Sequence, residues 1–193
     1  MTPPALAARA DWVSCMPLSA MRTRPSFGWT ATWRSAGRPT PEAERIAASL
    51  RVTAMNSQAQ ALEAKGDLAS AESLLRSAAA LAEKALGPYH QDFAGVLNNL
   101  ASLLESKGDT ANAEAFYRRA LAICEKALGP EDPHTAASLD NLAGLLAGKG
   151  DWAEAEPLYL RALAVAEKSL GPDHPTTHGI RDELNDLRPK QGR

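Results

Sequence analysis

The chain has 193 residues, 45% of them apolar, which is ordinary for a protein with a buried core and leaves room for one domain and a tail. Twenty-one Lys and Arg against 23 Asp and Glu give a net charge of −2, so the whole-chain field points neither to nucleic acid nor to an anionic membrane as partner. No apolar run approaches the roughly 18 residues that span a bilayer, and two cysteines, Cys15 and Cys124, are too few for a disulfide framework, which points to a reducing compartment.

The charge is divided unevenly. Residues 1–40 hold Arg9, Arg22, Arg24, Arg34 and Arg38 but a single acid, Asp11, so this stretch carries about +4 and the remainder about −6. It also concentrates Pro, Ser, Thr and three of the four Trp, without helical or alternating apolar period. Residues 1–39 are therefore expected to be a disordered or loosely packed extension. Its short mixed run from Trp12 to Met21 lacks the unbroken apolar stretch of a secretion signal, and its faint likeness to an organelle transit peptide lacks an amphipathic helix, so a cytoplasmic location is expected. No function is assigned to Trp12, Trp29 or Trp33.

At Thr40 the pattern changes. Thr40 is placed to cap a helix whose first residue is Pro41, with Glu42 and Glu44 near its positive end. From there Lys-Gly-Asp recurs at 65–67, 107–109 and 149–151, and Leu-Gly-Pro at 86–88, 128–130 and 170–172, each series keeping the same 42-residue period. In Lys-Gly-Asp the glycine suits the left-handed residue that closes one helix and the aspartate caps the next. Asp151 and Glu154 have the spacing of a capping box, while Ser70 and Asn112 at the equivalent places complete one weakly or not at all. In Leu-Gly-Pro the glycine ends the second helix and proline turns the chain toward the next unit, after which Asp132-Pro133 provides a fresh cap and first residue.

The apolar spacing between these stops predicts a first helix of roughly 15 and a second of roughly 18 residues per unit. Units fall at about 48–89, 90–131 and 132–173, within a domain of 40–189. A fourth first-helix at 175–188 is degenerate: Arg181 and Arg188 stand where leucines recur, Asn185 replaces an alanine, and Pro189 is expected to cut the helix short before a tail at 190–193. That is the composition of a capping helix with a polar outer face.

Leu97, Leu100, Ala101, Leu104, Ala113, Tyr117 and Ala120 in the second unit, and Leu139, Leu142, Ala143, Leu146, Ala155, Tyr159 and Ala162 in the third, fill the apolar and small slots of the tetratricopeptide repeat. The first unit is looser, with Gln58 in place of a core leucine. Eight residues beyond the usual 34, together with the segments Leu97 to Ala101 and Glu125 to Pro130, resemble the kinesin light chain variety over residues 50–180. The resemblance implies an all-α fold: an α-solenoid of three tandem helix-turn-helix repeats plus a C-terminal capping helix, wound as a right-handed superhelix with the first helices on its concave face.

It further implies a scaffold or adaptor that binds a peptide or partner protein in that groove. The positions carried over are Asn56 and Gln60, then Asn98, Asn99, Ser102 and Glu105, then Asp140, Asn141 and Gly144. Asn99 and Asn141 are the foremost, because an amide both donates to and accepts from an extended backbone; the alternative is that these amides only tie neighbouring helices together. The slots that carry Lys and Arg in carboxylate-clamp repeats hold Thr53, Gly95, Ala137, Ser102 and Gly144, so a neutral, basic or mixed peptide is expected. Arg118, Arg119 and Arg161 are expected to be solvated or paired.

No catalytic residue, metal site or cofactor is expected. His90, His134, His174 and His178 lie near loops without metal-ligand spacing, Cys124 aligns with Ala82 and Ala166 as a packing residue, and no phosphate loop or nucleophile motif occurs. The alternative to a peptide adaptor is a structural module that self-associates into a homo-oligomer or belongs to a larger assembly.

Overall fold

The computed structural model describes residues 39–191, with side chains through Leu187. Residues 1–38 of the expected N-terminal extension and the last two residues lie outside the described residues. Seven helices follow in order: α1 Pro41–Ala64, α2 Leu68–Ala85, α3 Gln91–Ser106, α4 Thr110–Ala127, α5 Pro133–Lys149, α6 Trp152–Ser169 and α7 Pro175–Gln191. Among the described residues there is no strand, and no helix is long and apolar enough to cross a membrane.

The motifs act where the repeat period places them. Gly66, Gly108 and Gly150 adopt φ of 81°, 83° and 86°, the left-handed backbone that only glycine takes without strain. Asp67 and Asp109 then cap α2 and α4 by accepting hydrogen bonds from the backbone N–H of Ser70 and Asn112. The third turn departs from the capping box expected there. Asp151 makes no side-chain cap to α6; its carboxylate lies 3.2 Å from Lys149 Nζ, and Glu154 pairs with Arg118 of α4 at 2.8 Å. An ion pair on each acid has displaced the local cap.

At the other turns, His90, Asp132 and His174 stand at the same place in successive units. Each places a side-chain acceptor on a backbone N–H two positions ahead: Asp92, His134 and Thr176 respectively. Two of the four histidines thus act in helix entry. Thr135 and Thr177 donate from Oγ1 to the carbonyls of Gly129 and Gly171, both at 2.8 Å, which fastens the second and third Leu-Gly-Pro turns to the helix that follows.

Alanines set how closely the helices pack. Ala71, Ala113 and Ala155, and likewise Ala78, Ala120 and Ala162, are completely buried on the second helices, and Ala101 and Ala143 are as deeply buried on the first helices. Leu97, Leu100, Leu103, Leu139, Leu142 and Leu146 fill the remaining space. In α7, Ile180, Leu184 and Leu187 continue this core, whereas Arg181 turns away to Glu167 of α6 at 2.8 Å. The α7 backbone stays helical to Gln191, so Pro189 does not end it at 188; a proline removes one backbone hydrogen bond from a helix and does not by itself unwind it.

Stacking follows a simple rule. Each helix packs on its sequence neighbour, and the backbones of the first helices α1, α3, α5 and α7 also approach one another in succession, while the second helices α2, α4 and α6 meet only through long side chains such as Arg119 to Glu83 and Arg161 to Glu125. In a curved stack the layer whose backbones approach is the inner, shorter arc. The first helices therefore form the concave face.

Candidate functional site

The first helices carry the nine positions singled out from sequence, and their environments differ. Asn99 donates from Nδ2 to Asn56 Oδ1 at 2.7 Å, joining α3 to α1. Asn98 points toward the next unit: its Nδ2 donates to Ser138 Oγ at 2.9 Å, and Ser138 in turn meets Cys124 Sγ at 3.4 Å. Asn98 Oδ1 is buried and receives no donor. Glu105 accepts from the Tyr117 hydroxyl at 3.1 Å, and Ser102 also hydrogen-bonds that phenol. Burial first, then the Glu105 charge, pushes the Tyr117 hydroxyl well above the usual tyrosine range. Gln60 and Asn141 are exposed.

Asp140 stands apart. It is the counterpart, one and two units on, of Asn98 and Asn56, yet its Oδ1 is buried without a hydrogen-bond partner. Burial, and after it the opposing Glu183 carboxylate of α7, pushes the Asp140 carboxyl up to about 7. Asp140 and Glu183 stand in the same register as the amide pair Asn56 and Asn99. What was an amide-amide bond between the first two units is a carboxyl-carboxylate encounter at the last. Tyr159 of α6 hydrogen-bonds Glu183, and burial followed by that bond raises its hydroxyl as well.

The structure therefore brings Asn56 to Asn99, and Ser102 and Glu105 to Tyr117, and leaves Gln60 and Asn141 facing outward. Sequence reasoning missed three contributors. Ser138 occupies the column held by Val96 and Ile180, Glu183 that of Asn99 and Asn141, and Tyr159 reads from sequence as core alone. A hydroxyl in an apolar column and an acid in an amide column were the available signals.

The three arginines singled out on the second helices are paired. Arg118 pairs with Glu114 and Glu154, Arg119 with Glu83 at 2.5 Å while lying over the Phe93 ring, and Arg161 with Glu125 at 2.6 Å. The lysine of Lys-Gly-Asp reaches back to the preceding second helix: Lys107 to Glu72, and Lys149 to Glu114 at 2.6 Å. Cys124 is buried, and burial pushes its thiol up, away from nucleophilic character. Among the described residues no group of His, Cys, Asp and Glu is arranged to hold a metal ion.

Profiles of the tetratricopeptide repeat match residues 92–168 and 136–177, and a second such profile matches 51–92. The chain belongs to the tetratricopeptide repeat family. Among solved structures it is similar to a kinesin light chain candidate of Podosopora anserina with nearly identical TPR-like repeats, at 26% identity and a TM-score of 0.69, covering 75% of this chain and 68% of that one. It is also similar to BtubC (BKLC) from P. vanneervenii, at 24% identity and a TM-score of 0.61 over 78% of this chain and 66% of that one. The third is the type III secretion translocator chaperone SycD of Yersinia enterocolitica, at 16% identity and a TM-score of 0.57 over 88% and 98%. The last two likenesses concern the fold alone. No curated protein matches the sequence. Kinesin light chain-like repeats thus account for the 42-residue unit, and tetratricopeptide arrays serve in general as scaffolds for protein interaction.

Proposed function

We propose that the chain is an adaptor that holds an extended peptide segment of a partner protein along its concave face, with Asn56, Gln60, Asn98, Asn99, Ser102, Glu105, Asp140 and Asn141 as the contact positions. The observation that carries this reading is the set of first-helix columns through Asn56, Ser57 and Gln60, which hold only polar, acidic or glycine residues and no Lys or Arg in any described unit. Amides and carboxylates in such columns accept from the backbone N–H groups of an extended peptide. The outward amides of Gln60 and Asn141 add donors and acceptors on the same face. In this reading Asn56 and Asn99 spend one bond on each other and keep their remaining donors and acceptors for the ligand. A non-catalytic role agrees with a free thiol that is buried and with arginines that are paired.

The test is a peptide display selection against the full chain, followed by titration of the enriched peptides. Asn141→Arg introduces a long charged side chain at an exposed position, and Asn99→Arg does so one unit earlier. A loss of about tenfold or more in affinity, with helical content retained, is expected. Unchanged affinity in both folded variants overturns the groove assignment.

A second reading, self-association, is favoured by one observation: Ile46 and Leu50, a turn apart on α1, are 57% and 67% exposed. Light scattering at high concentration separates the two. A strict monomer removes the second reading.

A further inference from the structure

The ion pairs of the array are distributed unevenly. Carboxylates on the second helices have cations: Glu72 with Arg76 and Lys107, Glu114 with Arg118 and Lys149, Glu83 with Arg119, Glu125 with Arg161 and Glu167 with Arg181. On the first-helix face the reverse holds. Among the described residues Glu63, Glu105, Asp140, Asp182, Glu183 and Asp186 enter no ion pair, and the columns through Asn56, Ser57 and Gln60 contain no Lys or Arg in any described unit. Four of those six acids lie on α5 and α7, so the unbalanced charge gathers at one end of the groove.

A cavity of about 210 Å³ opens at that end, lined by Trp152, Tyr159, Gly148, Ala147, Glu183 and Asp186. At roughly 30 Å³ per water molecule it has the size of about seven waters, the scale of one long side chain. Two exposed carboxylates, Glu183 and Asp186, at the rim of such a space form a setting for a flat cation, because a guanidinium bridges carboxylates with its planar fork of donors.

We propose that this end of the groove receives a basic side chain, arginine before lysine, from the extended partner segment, with its cationic head at the Glu183 and Asp186 carboxylates that line the cavity, next to Asp140, which Glu183 opposes. The proposal rests on the groove reading and adds the chemistry of the ligand. Asp140 supports it independently of the cavity. Its Oδ1 is buried without a hydrogen-bond partner, and the charge set against it is Glu183, one of the two carboxylates that line the cavity. The groups that face it are Glu183 from α7, Tyr159 from α6 and, through Tyr159, Glu105 from α3, and no cation is among them. A cation entering here holds the carboxyls ionised, so binding releases a proton and tightens as pH rises through about 7.

The probe is a fluorescein-labelled octapeptide of alternating serine and arginine, read by anisotropy with the full chain at about 0.15 M salt. Its counterpart carries citrulline, which keeps the shape and removes the charge. The arginine peptide is expected to bind about tenfold tighter than the citrulline peptide. Asp186→Asn, an exposed site, and the pair Glu183→Gln with Asp186→Asn are expected to reduce that ratio toward one. Asp140→Asn is expected to flatten the several-fold rise in affinity between pH 6 and pH 8. Equal binding of the two peptides overturns the proposal, as does a ratio that falls just as far in Glu42→Gln with Glu44→Gln, since that reports only the general field. If display-selected peptides depend on Asn141 yet show no preference for arginine, this inference falls and the groove reading stands. If Asn141→Arg and Asn99→Arg leave all binding unchanged, the groove reading falls and takes this one with it.

Discussion

Asp140→Asn is expected to stabilise the protein at alkaline pH and to leave it unchanged in acid. The folded protein holds the Asp140 proton up to about 7, whereas an unfolded chain releases it near 3.8. Between those values the folded state binds more protons, so the stability contributed by the protonated carboxyl is complete below 3.8 and is lost as pH rises through about 7. At 1.36 kcal/mol per pKa unit, the gap sets an upper bound of roughly 4 kcal/mol. Asp140 is only partly buried, and screening by solvent reduces this to about 2 kcal/mol. Asparagine keeps the shape, removes the charge that Glu183 opposes, and supplies an N–H donor across the same register in which Asn99 serves Asn56. Urea unfolding followed by circular dichroism at pH 5 and pH 8 reads the difference. The variant is expected to gain about that discounted amount over the parent at pH 8 and well under half of it at pH 5, because the loss sets in above 3.8 and is complete only above about 7. Equal gains at both pH values, or none at either, refute the argument that Asp140 titrates against Glu183 in the folded state.

Three variants test the packing. Leu142→Ala removes a side chain that is 1% exposed at the centre of the third unit and is expected to cost about 3 kcal/mol in chemical denaturation, since the surrounding alanines leave little to collapse into the space. Gly108→Ala places a Cβ in open space but at φ of 83°, so its cost is backbone strain alone, about 1 kcal/mol, measurable as a lowered midpoint without loss of helix at low temperature. Ser138→Ala deprives Asn98 Nδ2 of its acceptor and is expected to cost about 1–2 kcal/mol, whereas Ser138→Ala combined with Asn98→Leu costs less than Ser138→Ala alone in a double-mutant cycle.

Much of the fold was legible because its determinants are local and repeated. Gly66, Gly108 and Gly150 announce a left-handed turn in any setting, and the repeat period carries that reading from one unit to the next. The same period made the closing helix recognisable from Arg181 and Asn185. The misreadings concern competition between local and distant partners. Asp151 and Glu154 have the spacing of a capping box, but Lys149 and Arg118 claim them, and nothing within the motif announces those rivals. The candidate groove was legible as a row of positions and not as a network. Asn98 and Asn99 are adjacent in sequence yet turn to opposite neighbours, Ser138 of the next unit and Asn56 of the one before.

That opposition governs how the face works. Each unit offers one position forward and one backward: the two amides bond at Asn56 and Asn99, whereas at the next interface Asn98 turns to Ser138 and leaves Asn141 exposed. Replace the forward amide by Asp140 and the backward one by Glu183, and two acceptors meet with no proton to share except one taken from solvent. The register that ties the first two units together thus leaves the last interface short of a donor. Such a shortage is met by protonating Asp140 or by a cation from outside, and each excludes the other: a proton favours closure of α7 on α5 in acid, and a cation favours it above neutrality. A bound arginine peptide is therefore expected to raise the unfolding midpoint at pH 8 more than at pH 5. In the Asp140→Asn protein the increments at the two pH values become equal. If the parent already shows equal increments, the shared donor is not what links the groove to its closing helix.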